Sequence, residues 1–189
     1  MNSGSRKMAT TTAKENSFHP IAHTLDLGAV AQLALAATLP LAAFGAANFL
    51  GEAVGLQPHF FSPAGLPGWA GAAMHLVLLF LVGLAIGLAT KQNRAVLPWG
   101  IALVIAMIAF PFPAAALDSL GLALVMAGVL LLAIATGLRV AAASSLGGWL
   151  MLPALVWIGF GAALGLAIAA AWSPPFALIT AQNPPAAAP

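Results

Sequence analysis

The side chains that could do acid–base chemistry in this 189-residue sequence are few and scattered. The four acidic residues all occupy tail or loop positions: Glu15, Asp26, Glu52 and Asp118. Two serines, Ser144 and Ser145, have no histidine or aspartate close to them in the sequence. Because cysteine is absent, disulfides, thiolate catalysis and cysteine-based metal sites are excluded. No arrangement of residues suited to general acid–base or nucleophilic catalysis results, and we predict that the protein is not an enzyme.

Three of the four histidines lie outside the long apolar stretches. His19 and His23 are four residues apart, a spacing that can hold a metal on a helix, but further ligands are missing and an interfacial or disordered segment is the alternative. We predict no metal site there. His59 lies beside Phe60 and Phe61 in a loop rich in Gly and Pro. This loop is either a lid over a cavity or a plain connector.

His75 differs from the others because it lies about two turns inside an apolar stretch. An ionisable side chain at such a position is energetically unfavourable, and it usually faces the interior of a helix bundle. Two interpretations remain open. The imidazole is a ligand for a metal centre, or it forms a hydrogen bond with a backbone carbonyl or a threonine of a neighbouring helix.

The composition defines the elements that must position these residues. Hydrophobic residues make up 62% of the chain and charged residues 5%, with a mean hydropathy of +1.03. Ordinary globular proteins have about 25% charged residues. This excludes a soluble enzyme, a nucleic-acid-binding protein and a disordered chain, and it predicts an integral membrane protein.

Five apolar stretches are long enough, at about 20 residues, to cross a bilayer as helices. The apolar runs are continuous and do not alternate between apolar and polar residues, so a β-barrel is excluded. The sequence therefore predicts an all-α integral membrane protein, a five-transmembrane-helix bundle. The spans are about 28–50, 69–89, 97–117, 120–138 and 146–172, between a polar tail at 1–27 and a Pro/Ala-rich tail at 173–189. Proline predicts kinks or unwound turns at Pro40, at the cluster Phe110-Pro-Phe-Pro113, and at Pro153.

The basic residues predict the orientation in the membrane. Five spans place the N-terminal tail and the connections after spans two and four on one side, and these segments contain every Lys and Arg: Arg6, Lys7, Lys14, Lys91, Arg94 and Arg139. The positive-inside rule then predicts a cytoplasmic N-terminus and a C-terminus on the opposite side. A cleaved signal peptide is the alternative at the N-terminus, but the first apolar run is too long for one. No carboxylate lies within a span, which argues against ion-coupled transport.

Small residues suggest close contacts between helices. Gly83 and Gly87, and likewise Gly161 and Gly165, are one helical turn apart, a spacing that lets helices approach closely but also arises by chance in such a composition. A similar stripe in span three, formed by Ala102 and Ala106, is a candidate dimer contact.

Spans four and five contain a recognisable pattern. The run Leu152-Pro-Ala-Leu-Val-Trp157-Ile-Gly-Phe160, followed by Leu164, resembles the L-P-Y-x-x-W-x-x-F/Y-A-x-x-L-N segment of the TspO/translocator protein family. The upstream runs Gly121-Leu-Ala-Leu-Val and Leu132-Ala-Ile-Ala-Thr136 agree with it, and Pro67-Gly-Trp69 resembles the start of the family's second span. The resemblance covers nearly the whole chain between residues 28 and 172 and includes the number of spans.

The departures from the family pattern fall where the family's ligand pocket lies. By this alignment His75 replaces a tryptophan, Leu79 a tyrosine, Ala154 a tyrosine and Gly165 an asparagine. In span three Leu103 and Met107 replace Gln and Asn, and in span two Gly71-Ala-Ala73 replaces F-G-P. The pocket has thus lost hydrogen-bonding side chains, so we expect the fold to be retained while the ligand can differ.

The resemblance implies a receptor or sensor with a cavity between helices, capped by the first loop, that binds a porphyrin, haem or a sterol-like molecule, usually as a homodimer. No cofactor is required, although a porphyrin or haem is an expected ligand, and His75 becomes a candidate ligand for the iron of haem or the magnesium of a chlorin. The predicted partners are the lipid bilayer and this hydrophobic molecule. The candidate ligand-binding residues are Trp69, His75, Leu79, Met107, Phe110, Trp157, Phe160 and Leu164. The alternative function is a non-catalytic structural or assembly subunit of a larger membrane complex.

Overall fold

The computed structural model describes residues 26–60, 62 and 66–172. Within these residues the chain forms α-helices and short 3-10 turns and no strand. The helices are α1 (Leu27–Ala53), α2 (Gly68–Gln92), α3 (Leu97–Ala109), α4 (Ser119–Ala143) and α5 (Ser145–Trp172). The predicted terminal tails, with His19 and His23, lie outside the described residues.

The predicted all-α membrane bundle is confirmed. Four of the described helices, α1, α2, α4 and α5, are long and apolar enough to cross a membrane. The third predicted span is shorter in the structure, since the apolar helical segment runs over Arg94–Ala109 and the chain then forms turns up to α4.

Proline explains where α3 ends. Pro111 and Pro113 follow Ala109 closely, and a proline lacks the N–H that a helix interior requires. The predicted unwinding is therefore found at this cluster. It is not found at Pro40 or Pro153, because α1 and α5 continue through these residues.

Polar side chains just before the helices cap their N-termini. Asp26 accepts hydrogen bonds from the backbone N–H groups of Gly28 and Ala29 at the start of α1, and Asp118 accepts one from Gly121 N at 2.7 Å at the start of α4. Ser144 Oγ accepts one from Gly147 N at 3.1 Å. These are N-cap interactions, which satisfy N–H groups that the helix itself leaves free. Two of the four carboxylates thus have a structural role.

The bundle has two distinct ends. At the basic end α2 and α4 finish and Lys91, Arg94 and Arg139 are found. The opposite end, named the loop end, carries the described residues of the first loop (54–60, 62, 66 and 67) and the turns after α3. The prediction that the basic end faces the cytoplasm stays a prediction.

Glycine brings the helices into close contact in two places. A Cβ atom on Gly83 would collide with the backbone carbonyl oxygen of Ala36, and one on Gly87 would lie 2.6 Å from Ala36 Cβ, so α2 packs directly on α1. On α5, a Cβ atom would lie 2.6 Å from Met126 Cε at Gly161 and 3.5 Å from Ala123 Cα at Gly165. Both glycine pairs are therefore at helix–helix contacts, between α1 and α2 and between α4 and α5.

Candidate functional site

A cavity of about 150 Å³ lies among α2, α3, α4 and α5 at the loop end. The wall is mostly aliphatic and aromatic. The lining residues from α2, α3 and the turn after it are Gly71, His75, Leu78, Met107, Phe110 and Pro111; those from α4 are Leu122, Met126 and Val129; those from α5 are Trp157, Ile158, Gly161, Leu164, Gly165 and Ile168. His59 and Phe60 of the first loop complete the wall.

Helical periodicity brings these residues to one face of each helix. On α5, Trp157, Gly161, Leu164 and Ile168 are spaced by four, three and four residues, which is the stripe that a helix presents to one side. On α4 the spacing from Leu122 through Met126 to Val129 is four and three residues. α4 therefore contributes about two turns of the wall and α5 about three.

The first loop is fastened across the cavity by hydrogen bonds. His59 N donates to the carbonyl oxygen of Pro111 at 2.8 Å, which connects the loop to the turn after α3. Near α2, Ser62 Oγ accepts a hydrogen bond from Gly71 N at 3.2 Å. The loop thus contacts two walls of the cavity. This arrangement favours the lid over the plain connector, the two alternatives left open by the sequence.

An aromatic cluster lies beneath this loop. The ring of His75 lies 5.3 Å from that of Phe44 and 5.4 Å from that of Phe60, measured between ring centroids. Phe44 also contacts Phe60 in an edge-to-face arrangement at 6.0 Å and Phe112 at 6.4 Å. The His75 imidazole is therefore held between an aromatic ring of α1 and one of the loop.

One nitrogen of His75 has no hydrogen-bond partner among the residues that the structure describes. Its Nε2 atom is buried and forms no hydrogen bond with any described residue. A buried polar atom left unsatisfied is unfavourable by about 1–3 kcal/mol and is rare in folded proteins. The predicted hydrogen bond from this histidine to a neighbouring carbonyl or threonine is therefore not formed by Nε2.

The structure brings five of the eight predicted ligand-binding residues together. His75, Met107, Phe110, Trp157 and Leu164 all line the cavity. Their role in binding stays a prediction, since the structure shows their position only.

The other three predicted residues lie elsewhere. Trp69 is in the first turn of α2 and is 71% exposed, as expected of a tryptophan at a membrane interface. Leu79 is fully buried in the core, because successive helical residues point about 100° apart and Leu78 takes the position facing the cavity. Phe160 is 49% exposed, and its neighbour Gly161 faces the cavity instead. These three residues do not line the cavity, and their role in ligand binding stays a prediction.

The α4 wall was missed by the sequence prediction. Leu122, Met126 and Val129 are ordinary apolar residues, and only their spacing of four and three residues distinguishes the face that they share. That signal was present, but every apolar helix of this chain contains several such stripes.

The chemistry of the cavity is that of an apolar site with few polar atoms. The histidines His59 and His75 and the indole of Trp157 supply the polar side-chain atoms of the wall. Among the described residues no group of three His, Cys, Asp or Glu could hold a metal ion. Drug-sized ligands occupy pockets of about 300–1,000 Å³, so the cavity of about 150 Å³ must enlarge before it holds a tetrapyrrole.

Comparison with known protein families gives a match over most of the chain. The sequence pattern that defines the TspO/MBR family matches residues 56–172, from the first loop to the end of α5. No curated protein and no solved structure matches the chain. The matched segment contains all the residues that line the cavity.

Proposed function

The chain belongs to the TspO/MBR family, and on that premise we propose that it is a membrane sensor that binds a flat hydrophobic ligand in the cavity at the loop end. The ligand class is a tetrapyrrole, such as a porphyrin or haem, or a sterol-like molecule. The observation that carries this proposal is the cavity itself, an apolar space between four helices that a hydrogen-bonded loop covers.

The wall suits a rigid ring system. Trp157, Phe60 and Phe110 offer aromatic rings, and Met107 and Met126 offer flexible thioethers that adapt to the shape of a ligand. No acidic side chain takes part in the wall among the described residues, so the site favours the apolar body of a ligand. The role that we propose is non-catalytic.

Ligand binding requires the cavity to grow, and the loop is the wall that can move. The helices are held by extensive contacts, above all α4 with α5 and α1 with α2. The loop is held by isolated hydrogen bonds, such as the 2.8 Å bond between His59 N and the Pro111 carbonyl oxygen, and by the packing of Phe60. We therefore expect the lid to open when the ligand enters.

A fluorescence titration tests the proposal. Protoporphyrin IX is added to the purified protein in mild detergent, and tryptophan emission is followed. Trp157 lines the cavity, whereas Trp69 and Trp149 are 71% and 70% exposed. We expect saturable quenching whose amplitude falls in Trp157→Phe and persists in Trp149→Phe. A sterol that uses the same site should displace the porphyrin.

A matched pair of α4 variants separates binding in the cavity from adsorption to the surface. Val129→Phe adds a ring to the cavity wall, while Val125→Phe adds the same ring one turn earlier at a side chain that is 40% exposed. We expect Val129→Phe to weaken protoporphyrin binding about tenfold, equivalent to about 1.4 kcal/mol, and Val125→Phe to leave it unchanged. Quenching that never saturates, or that both variants alter equally, would contradict the proposal.

The alternative function, a structural or assembly subunit, makes a different prediction. Such a subunit would be extracted in mild detergent with a larger complex and would show no saturable quenching. The proposed sensor would migrate as a small species, and a homodimer is the state that we propose for it. Its mass in native electrophoresis or light scattering separates these outcomes.

A further inference from the structure

We propose that His75 is the polar anchor of the cavity, and that its Nε2 atom coordinates the metal of a metalloporphyrin once the Phe60 side chain has moved off the imidazole. This inference rests on the proposed function and narrows its ligand class. It distinguishes a tetrapyrrole that carries a metal with an open axial position from one that carries none.

The first supporting observation is the unpartnered nitrogen. Nε2 is buried and lacks a hydrogen bond to any described residue, although the His75 side chain lines the cavity. The nitrogen of a neutral imidazole is a common ligand for protein-bound metals and for haem iron. A ligand that supplies a metal would therefore satisfy the atom that the protein leaves unsatisfied.

The second observation is the contrast with the other histidine of the wall. His59 Nδ1 lies 3.0 Å from the carbonyl oxygen of Gln57, within hydrogen-bond distance, and the His59 backbone is bonded to Pro111. One of its ring nitrogens is thus occupied within the loop. The backbone of His75 belongs to α2, a helix of the bundle, and its ring also packs against Phe44 of α1, whereas His59 belongs to the loop itself.

The third observation is the position of Phe60. Its ring lies 5.4 Å from the His75 ring and belongs to the loop, so the group that covers the imidazole is also part of the movable wall. Because the cavity of about 150 Å³ is smaller than a tetrapyrrole site, opening the lid both enlarges the space and uncovers His75. Displacement of the lid and exposure of the metal ligand are then a single event.

The test compares haem with metal-free protoporphyrin IX on the full-length protein. We expect the wild type to bind haem about tenfold more tightly than protoporphyrin, as expected when an additional coordinate bond forms. In His75→Ala the haem affinity should fall to that of protoporphyrin, the Soret band should shift, and the protoporphyrin affinity should stay within about twofold. His59→Ala removes the other histidine of the cavity wall, so it tests which histidine coordinates the metal and is not a neutral control; the Soret band that marks coordination should remain in it.

The outcomes separate this inference from the proposed function. If neither porphyrin binds, the tetrapyrrole form of the proposed function fails and this inference fails with it, while a sterol-like ligand is left as the proposed class. If both bind equally and His75→Ala leaves the Soret band unchanged, His75 does not coordinate the metal although the cavity binds tetrapyrroles. Loss of the haem spectrum in His59→Ala alone would assign the coordination to His59 and overturn the inference. Retained protoporphyrin binding shows that a variant is folded, and His75→Phe replaces His75→Ala if the latter aggregates.

A kinetic experiment tests the part played by Phe60. Phe60→Ala removes the ring that covers the imidazole, so haem should associate about tenfold faster than with the wild type, as expected for a binding step limited by a conformational change. Leu56→Ala, which shortens an exposed side chain of the same loop, is the control and should leave the rate unchanged. An unchanged or lower rate in Phe60→Ala would show that Phe60 does not obstruct access to His75.

Discussion

The two ends of the bundle are built from the same kinds of residue but are packed differently. At the basic end Val82, Ala85, Ala89, Val96 and Val140 are at most 1% exposed and belong to one hydrophobic core. At the loop end the same helices enclose a cavity of about 150 Å³ beneath a loop. The hydrophobicity of the residues does not distinguish the two ends. Both ends are apolar, and the surrounding lipid is as apolar as the side chains, so it does not favour tight packing at either end. The difference lies in which positions are occupied by small residues and what fills the space opposite them.

Polar contacts follow the same division. At the basic end the hydroxyl of Thr136, fully buried, donates to the carbonyl oxygen of Leu132 at 2.8 Å and lies 3.3 Å from that of Trp99, so it connects α4 with α3. At the loop end the buried Nε2 of His75 has no such partner within the described part of the chain. A satisfied polar group stabilises a fold, whereas an unsatisfied one facing a cavity is available to a ligand. The basic end is therefore the scaffold and the loop end the candidate site.

The largest effect that we predict tests the tightness of the basic end. Gly83→Ala places a Cβ atom against the Ala36 carbonyl oxygen, 2.9 Å from Pro40 Cγ and 3.2 Å from Ala37 Cα. Since backbone atoms cannot move aside cheaply, α1 and α2 must separate, and we expect a loss of about 2 kcal/mol in the free energy of unfolding. Unfolding in mixed detergent micelles measures it. Gly128→Ala, with no atom within 4 Å of the new Cβ, is the control and should be neutral or slightly stabilising.

The next prediction concerns the polar connection at the same end. Thr136→Val keeps the shape of the side chain but removes its hydroxyl, and we expect a loss of about 1 kcal/mol, typical of hydrogen bonds between membrane helices. Thr38→Val is the matched control, because the Thr38 hydroxyl donates to Ala34 of its own helix at 2.8 Å in an exposed position. The same micelle unfolding measurement should show almost no change for it. Equal losses in both variants would mean that the α3–α4 connection contributes nothing.

A smaller effect is expected at the rim of the basic end. The guanidinium carbon of Arg139 lies 3.8 Å from the centroid of the Trp99 ring, a cation–π contact between α4 and α3. Arg139→Gln should reduce the free energy of unfolding by about 0.5–1 kcal/mol and shift the emission of Trp99. Arg94→Gln removes the same charge at the same end and should leave that emission unchanged. If the two variants behave alike, the contribution comes from charge and not from the ring contact.

Sequence reasoning predicted the scaffold better than the candidate site. The helical class, the number of helices and the glycine contacts depend on hydrophobicity and on the absence of a side chain, which a sequence shows directly. The helix of the third span ends at Ala109, before the predicted limit of 117, because the prolines outweigh the apolar run that continues past them.

The wall of the cavity depends on helix rotation, which composition does not show. On α5 a step of three from Trp157 leads to Phe160 and a step of four to Gly161, and the prediction favoured the aromatic residue. The structure turns Gly161 inward and leaves Phe160 49% exposed. In a soluble helix the polar face would have decided between them, but a membrane helix is apolar on every side. His75 lines the cavity, and the sequence indicated an interior position for it because an ionisable residue avoids lipid.

The smallest predicted effect completes the comparison at the loop end. Gly161→Ala places a Cβ atom 2.6 Å from Met126 Cε, an approach that looks as close as those at Gly83. The obstructing atom, however, is the end of a flexible side chain that borders the cavity, and a methionine changes rotamer at little cost. We expect a loss below about 0.5 kcal/mol in the free energy of unfolding, well under the usual range for overpacking.

The same variant should weaken protoporphyrin binding, because the displaced Met126 side chain occupies part of the cavity. The two ends should therefore differ. Gly83→Ala should lower stability more than the affinity for protoporphyrin, and Gly161→Ala should lower that affinity more than stability. Unfolding measurements and protoporphyrin titrations on both variants test this difference. If Gly161→Ala were as destabilising as Gly83→Ala, the loop end would be packed as rigidly as the basic end, and the cavity would be a packing defect that no ligand enlarges.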